Sequence, residues 1–269
     1  MAEGRLRFGM VANPRDAQQW RTVVRRAEDL GYDTLLTADN LHMPAPAVSL
    51  GMAAGLTQRL RLGTLVMSGA LRVPRMAARE AHSLSVLTGR RFEFGIGIGN
   101  PGTRAAAREL GLAHEGSALE RVAATVAALR ESDGEEHTPV MIPAAGPRAR
   151  ALAAEIADIV MVAAPALATR DEVAALVREI RAAAGTRPVE FAMTVFAVED
   201  RLEPWAENLL GASTAELSAR DSLSLLRGDP VATADELLRR RDRLGVTYFA
   251  VHGSNTDAFA PVLERLACR

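Results

Sequence analysis

Three short segments of the 269-residue chain hold side chains able to act on a small ligand. The first is Ala38-Asp39-Asn40-Leu41-His42, where His42 beside Asp39 offers a general base on a loop. A solvent-facing loop histidine has the same local sequence. The second is Gly97-Ile98-Gly99-Asn100-Pro101-Gly102, a GxGxxG pattern between a strand and a helix. In a dinucleotide-binding domain that pattern opens the fold, whereas here three strands precede it. Gly97 and Gly99 are therefore read as letting a flat ligand approach bare backbone. The third is Ala145-Gly146-Pro147-Arg148, whose small-residue turn presents backbone N–H groups at a helix start. Pro147 suits the first helical position and Arg148 adds positive charge, a combination suited to phosphate. An ordinary strand-to-helix turn, in which Gly146 only permits the bend, fits the same residues.

Composition removes several other chemistries. All 32 basic residues are arginine, so no lysine Schiff base and no P-loop lysine can form. Histidines 42, 82, 114, 137 and 252 show no metal-ligand spacing, and a lone Cys268 provides no disulfide framework, so no metal is expected. A net charge of -1 carries no bias toward nucleic acid or membrane. No apolar run approaches the roughly 18 residues of a membrane span, and MAEGRLRF lacks the apolar region of a secretory signal. A cytoplasmic protein with a small-molecule substrate and neither a nucleic-acid nor a membrane partner is expected, with a homodimer as its assembly. His82 reads as a helix boundary residue and Arg239 to Arg241 as a solvated helix face.

These segments need elements to position them. Leu60, Leu62, Leu65, Val66 and Met67 form one apolar run, and Phe92, Phe94, Ile96 and Ile98 another, as suits parallel strands covered on both faces. Between them Met76, Ala77, Ala81, Leu84 and Leu87 recur at helical spacing, giving a strand-helix-strand unit. Other strands are expected at Arg7 to Val11, Asp33 to Thr37, Val140 to Ile142, Ile159 to Val162, Val189 to Val198 and Thr247 to Val251. Asp16 with Gln19, Ser117 with Glu120, Thr169 with Glu172 and Thr233 with Glu236 read as helix starts, and Arg201 to Arg227 as extra helical material. Eight strands, each followed by helix, close most simply into a single-domain (β/α)8 barrel over residues 1–269, with an open doubly wound sheet as the alternative. In a barrel the carboxyl ends of the strands bring Asn13, Asp39, Asn40, His42, Ser68, Asn100 and Gly146 around one mouth. Loop capping is the competing role for Asn13 and Ser68.

Taken together and in order, the motifs resemble the luciferase-like monooxygenase superfamily, in its branch of coenzyme F420 (deazaflavin)-dependent oxidoreductases. Four segments carry the resemblance: AEDLGYDTLLTADN, TQRLRLGTLVMSGALRVPRMAAREAHSLSVLTGRRFEFGIGIG, AAGPRARALAAEIADIV and VATADELLRRRDRLGVTYFAVHG. The resemblance implies a (β/α)8 barrel with coenzyme F420, or alternatively FMN, across its mouth. The ring would rest against a bulge at Thr64-Leu65-Val66, where relatives carry a non-proline cis peptide, here Leu65-Val66. Asp39, Gly97 and Gly99 would line the cofactor, and its phosphate would meet Ala145, Gly146, Pro147 and Arg148.

The chain departs from the family's pattern in three places. Asn40 stands where many deazaflavin-dependent relatives have histidine, and Asn100 where some have glutamate. Asparagine can hold a ligand but cannot relay a proton near neutral pH. The connection from about Arg130 to Val140 is shorter than usual, making a compact variant with a reduced rim before the fifth barrel strand. The resemblance implies hydride transfer to a small electrophile, in a setting such as secondary metabolism, with His42, Asn40 and Asn100 as the candidate catalytic residues. A non-catalytic cofactor-binding homologue or partner subunit is the alternative.

Overall fold

The computed structural model describes residues 4–112, 116–199 and 202–267. Arg201, His114 and Cys268 lie outside them. Along the first half run β1 (Arg7–Val11), α1 (Ala17–Asp29), β2 (Thr34–Thr37), α2 (Pro46–Ala54), β3 (Arg61–Thr64), β4 (Met67–Ser68), α3 (Pro74–Leu87), β5 (Phe92–Gly97), α4 (Pro101–Glu109) and α5 (Ala118–Asp133). The second half has β6 (Val140–Ala144), α6 (Pro147–Ile156), β7 (Ile159–Val162), α7 (Arg170–Ala184), β8 (Glu190–Val195), β9 (Ala197–Val198), α8 (Pro204–Leu210), α9 (Thr214–Ala219), β10 (Leu225–Leu226), α10 (Pro230–Leu244), β11 (Val246–His252) and α11 (Thr256–Ala267).

Eight strands pair in parallel and close into a barrel: β1, β2, β3, β5, β6, β7, β8 and β11. The ring closes where Arg7 to Val11 lie beside Tyr248 to His252. Past Thr64 the third strand breaks at Leu65-Val66, whose peptide bond is cis as the resemblance implied. It resumes as β4, with Met67 beside Ile96 and Ser68 beside Gly97. The two-stranded pair β9 and β10, with α8 and α9, is an addition outside the ring, with its own apolar cluster of Ala197, Ala212, Leu217 and Leu225. Among the described residues no helix is long and apolar enough to cross a membrane.

Strands covered on both faces leave no polar side, and all six residues of β5 are buried. Outward-facing strand residues pack under helices through Trp20, Val24 and Ala27 of α1 and Ala77, Ala81 and Leu84 of α3. Alternate residues, including Ile159 and Met161 of β7 and Tyr248 and Ala250 of β11, form a separate cluster that fills the lumen. At the amino ends of the strands the lumen is closed by charge. Glu93, 2% exposed, pairs with Arg7 and with Arg61 at 2.6 Å, and Arg7 also meets Glu190 at 2.6 Å and the Tyr248 ring at 4.4 Å. Burial pushes the Glu190 carboxyl above its ordinary pKa despite Arg7.

Local rules held where nothing tertiary competed. Ser117 with Glu120 and Thr169 with Glu172 form full capping boxes. Asp16 accepts from Gln19 N at 2.8 Å, but Gln19 reaches back to Arg15 N instead of completing a box. Thr233 caps nothing. The helix starts four residues earlier, where Asp229 accepts from Val231 N and Ala232 N and Pro230 takes the first position, leaving Thr233 buried inside α10. Glu236 is drawn away to Arg240 at 2.8 Å and Arg170 at 2.6 Å. Arg240 thereby contradicts the solvated arginine face: it is 1% exposed and donates to Leu223 O and Leu225 O, both at 2.7 Å, tying the β9 and β10 addition to α10. Met76 and Leu87 are not inward-facing either, at 57% and 82% exposed. The buried face of α3 is the arc of Ala77, Ala78, Ala81, Leu84 and Ser85, whose mostly small side chains let the helix sit close to its neighbours.

Candidate active site

The carboxyl ends of the barrel strands surround one cleft of about 1940 Å³. Asn13, Asp39, Asn40, His42, Leu65, Val66, Ser68, Gly97, Gly99, Asn100, Ala145, Gly146, Pro147 and Arg148 all line it. The structure thus gathers the expected site residues, with one correction. Thr64 lies below the mouth: it is fully buried and its hydroxyl donates to Gly95 O at 2.6 Å, bonding β3 to β5 instead of facing a ligand.

Most polar side chains on the first loops brace backbone. Asn13 Oδ1 accepts from the Thr37 hydroxyl and Ala38 N, each at 2.9 Å. Asp39, its side chain 7% exposed, accepts from Ser68 N at 2.9 Å and pairs with Arg72, so it fixes the restart of the broken strand. Asn40 Oδ1 accepts from His42 N at 2.9 Å, and Asn100 Oδ1 caps α4 by accepting from Thr103 N at 2.8 Å. His42 is exposed, and among the described residues its imidazole makes no hydrogen bond.

The glycines of the mouth fall into two kinds. A Cβ on Gly97 would lie 2.9 Å from Val66 Cγ2, and one on Gly99, at φ +77°, 2.6 Å from Ser68 Oγ. These two are required by the close passage of the broken strand, so a protein contact, beyond any ligand, accounts for them. Gly146 differs. An added Cβ there would meet nothing within 4 Å, and its φ of -98° suits any residue. No side chain caps α6, so the N–H groups of Arg148 and Ala149 precede the first intrahelical bond, Arg150 N to Gly146 O at 2.9 Å. Arg148 is exposed with no partner among the described residues, while Arg150 is held by Ala145 O at 3.0 Å and Glu179 at 2.9 Å. Open space, free donors and a free cation make this turn fit an anion.

Sequence reasoning missed the far side of the cleft, formed by Phe196, Trp205, Leu209, His252 and Ser254. His252 is the last residue of β11, and its Nδ1 lies 2.9 Å from Ser254 Oγ. Its ring stands 4.6 Å from that of Trp205, at an interplanar angle of 48°. Burial lowers the imidazole pKa below its ordinary value, opposed by the Glu203 carboxylate. The signal was present: the expected final strand stopped at Val251, one residue short of the histidine that the carboxyl-end rule would have placed in the mouth. Trp205 and Leu209 come from the addition outside the barrel, for which no such rule exists.

Comparison with known proteins agrees with this architecture. Residues 2–131 match the family described as luciferase-like monooxygenase. A Mycobacterium tuberculosis protein named as a coenzyme F420-dependent oxidoreductase is 37% identical over 84 residues, covering 31% of this chain and 24% of that protein. The F420-dependent glucose-6-phosphate dehydrogenase of Beutenbergia cavernae is 33% identical over 108 residues, 35% of this chain and 31% of that one. The alignments thus span less than a third of the length of these relatives. Among solved structures, an F420-dependent secondary alcohol dehydrogenase in complex with an F420-acetone adduct superposes with a TM-score of 0.77 at 15% identity, over 98% of this chain and 99% of that one. The F420-dependent tetrahydromethanopterin reductase of Methanopyrus kandleri gives 0.73 at 17% identity, over 97% and 98%. By sequence, residues 2–131 resemble the luciferase-like monooxygenase family, and by fold the chain shares over nearly its whole length the (β/α)8 barrel of these structures.

Proposed function

We propose that the chain is an oxidoreductase that binds coenzyme F420, or alternatively FMN, across the cleft and transfers hydride between the bound ring and a small electrophilic organic substrate. One observation carries this reading: the open, uncapped start of α6 at Gly146 and the broken strand at Leu65 and Val66 line the same cleft. An anion cradle and an apolar ledge on one mouth match a molecule with a phosphate and a flat ring. The names of the two curated relatives support F420, and a structural neighbour solved in complex with FMN keeps the flavin alternative. When bound, such a ring supplies hydride chemistry. The chain's own part is positioning. Arg148 and Ala149 present N–H groups to the phosphate, the Arg148 side chain adds charge, and Asp39 holds Ser68 and hence the strand beside the ring. Met43, Ile98 and Leu209 give the mouth an apolar part suited to the body of an organic substrate.

The test is direct binding of purified F420 and FMN, followed by absorbance and titration calorimetry, in wild type and Gly146→Asp. The variant adds bulk and like charge where the fold has room, so affinity should fall at least tenfold with an unchanged thermal midpoint. Equal affinity in both proteins would overturn the phosphate assignment. A second reading, a non-catalytic cofactor binder or partner subunit, is favoured by Asn40 and Asn100, whose side-chain oxygens cap backbone. His42→Ala separates the two. A loss of about 10²- to 10⁴-fold in turnover with unchanged cofactor affinity identifies His42 as a base; a cofactor-loaded wild type with no turnover across activated alkenes, imines and ketones identifies a binder.

A further inference from the structure

One titratable side chain of the cleft has no task in the reading above. His252 Nδ1 lies 2.9 Å from Ser254 Oγ and receives the Ser254 backbone N–H at 3.3 Å. A backbone N–H can only donate, so Nδ1 is the acceptor and the proton of the neutral ring sits on Nε2. Nε2 has no hydrogen-bond partner among the described residues. The ring is held on its other side by Trp205, which also lies 6.3 Å from Phe196. Charged groups facing His252 are few. Its register partner on β1 is Val11, and Asn13 beyond it is neutral. From the β8 side comes Phe196, from the turn after β11 Ser254, and from the start of α8 Glu203, whose negative charge works against the effect of burial. Burial wins, and the ring is neutral at pH 7.

We infer that His252 and Trp205 form the substrate subsite: the Nε2–H of His252 donates to a carbonyl-type acceptor, and the Trp205 ring with Leu209 receives an uncharged, ring-sized apolar body. Trp205 is 43% and Leu209 64% exposed, and both line the cleft. Large apolar groups left open beside an oriented donor suit a ligand with an apolar body and a hydrogen-bond acceptor. A neutral imidazole polarises such an acceptor without the cost of burying a charge. The inference rests on the hydride-transfer reading for the kind of acceptor, and on the cleft alone for the position of the subsite.

Intrinsic fluorescence tests it without turnover. The chain has two tryptophans, and Trp20 is buried with its Nε1 bonded to Ser49 O at 2.9 Å, so Trp205 is the reporter at the cleft. The probe is 2-cyclohexen-1-one, with crotonate as the charged comparison, titrated into protein with and without saturating F420 or FMN. Expected are a saturable change in emission with cyclohexenone, at least tenfold weaker binding of crotonate, and loss of the signal in Trp205→Phe. His252→Gln should weaken cyclohexenone at least tenfold, as expected for one lost hydrogen bond to a desolvated acceptor, while cofactor affinity stays unchanged. An acid quench of Trp205 with its midpoint below about pH 6.5, absent in His252→Gln, should report imidazole protonation. His252→Asn, judged by its thermal midpoint, controls for misfolding. Cyclohexenone affinity within twofold across wild type and folded variants would overturn the subsite. Cyclohexenone binding that depends on His252 in a protein that takes neither cofactor would support the subsite and sink the cofactor reading.

Discussion

Asn100 sits where a proton donor would be useful, yet its geometry is that of a helix cap: Oδ1 accepts from Thr103 N at 2.8 Å and Pro101 follows at the first helical position. Replacing a cap of this kind by alanine costs about 1 kcal/mol. Asn100→Ala is therefore expected to lower denaturant stability by about that amount while cofactor affinity is unchanged. A turnover loss of 10²-fold or more in a variant of normal stability would instead give Asn100 a chemical role. The same contrast shows what single residues disclose. Gly146 was legible as an open turn at a helix start because its turn chemistry is local. Gly97 and Gly99 were legible as needing to be glycine, but the reason, Val66 and Ser68 on a neighbouring strand, is a contact that no local pattern contains.

At the scale of elements, the broken strand is anchored from behind by α1. The half-buried Glu28, in the last turn of that helix, accepts from Gln58 N, Arg59 N and Leu60 N at 2.9, 2.6 and 2.9 Å, immediately before β3. Burial opposes ionisation there, but the backbone donors of Arg59, Leu60 and Gln58 outweigh it and hold the carboxyl below its ordinary pKa. A depressed folded-state pKa means that the unfolded chain binds the proton more readily, so this contribution is present above about pH 4.5 and is lost as pH falls through the folded value. Glu28→Gln should cost about 1 kcal/mol at pH 7, a figure kept small by solvent screening, and the gap from wild type should close in acid. A gap independent of pH between 7 and 3 would show that charge is not the source. Elements defined by their own caps and periodicity were readable in the chain, as Ser117 and Thr169 show. Where two starts compete within a few residues, as at Asp229 and Thr233, the start fell at Asp229 with Pro230 at the first helical position, while Glu236 paired with Arg240 one turn on and with the distant Arg170; only the last of these is tertiary and silent in sequence.

The whole barrel was legible from counting strands, because eight parallel strands covered on both faces have few ways to close. The charged seal at its other end was not. The amino ends are sealed by Arg7, Arg61, Glu93 and Glu190, whose pairing joins residues 183 positions apart, whereas the carboxyl ends carry the cleft. Removing one partner of a buried ion cluster costs roughly 3 to 5 kcal/mol. Glu93→Ala should therefore lower the unfolding free energy by that order while the folded fraction keeps its cofactor affinity, measured by titration below the melting transition. A selective loss of cofactor affinity in a stable variant would show that the two ends are coupled. Closure of the ring has one more consequence. Val11 lies beside Leu36 on one side and His252 on the other, so the loops that follow the second and the last strand are separated by a single strand although they come from opposite ends of the chain. A circle has no first seat. Asn40 and His252, distant along the chain, therefore open onto one cleft from strand ends only two places apart around the circle.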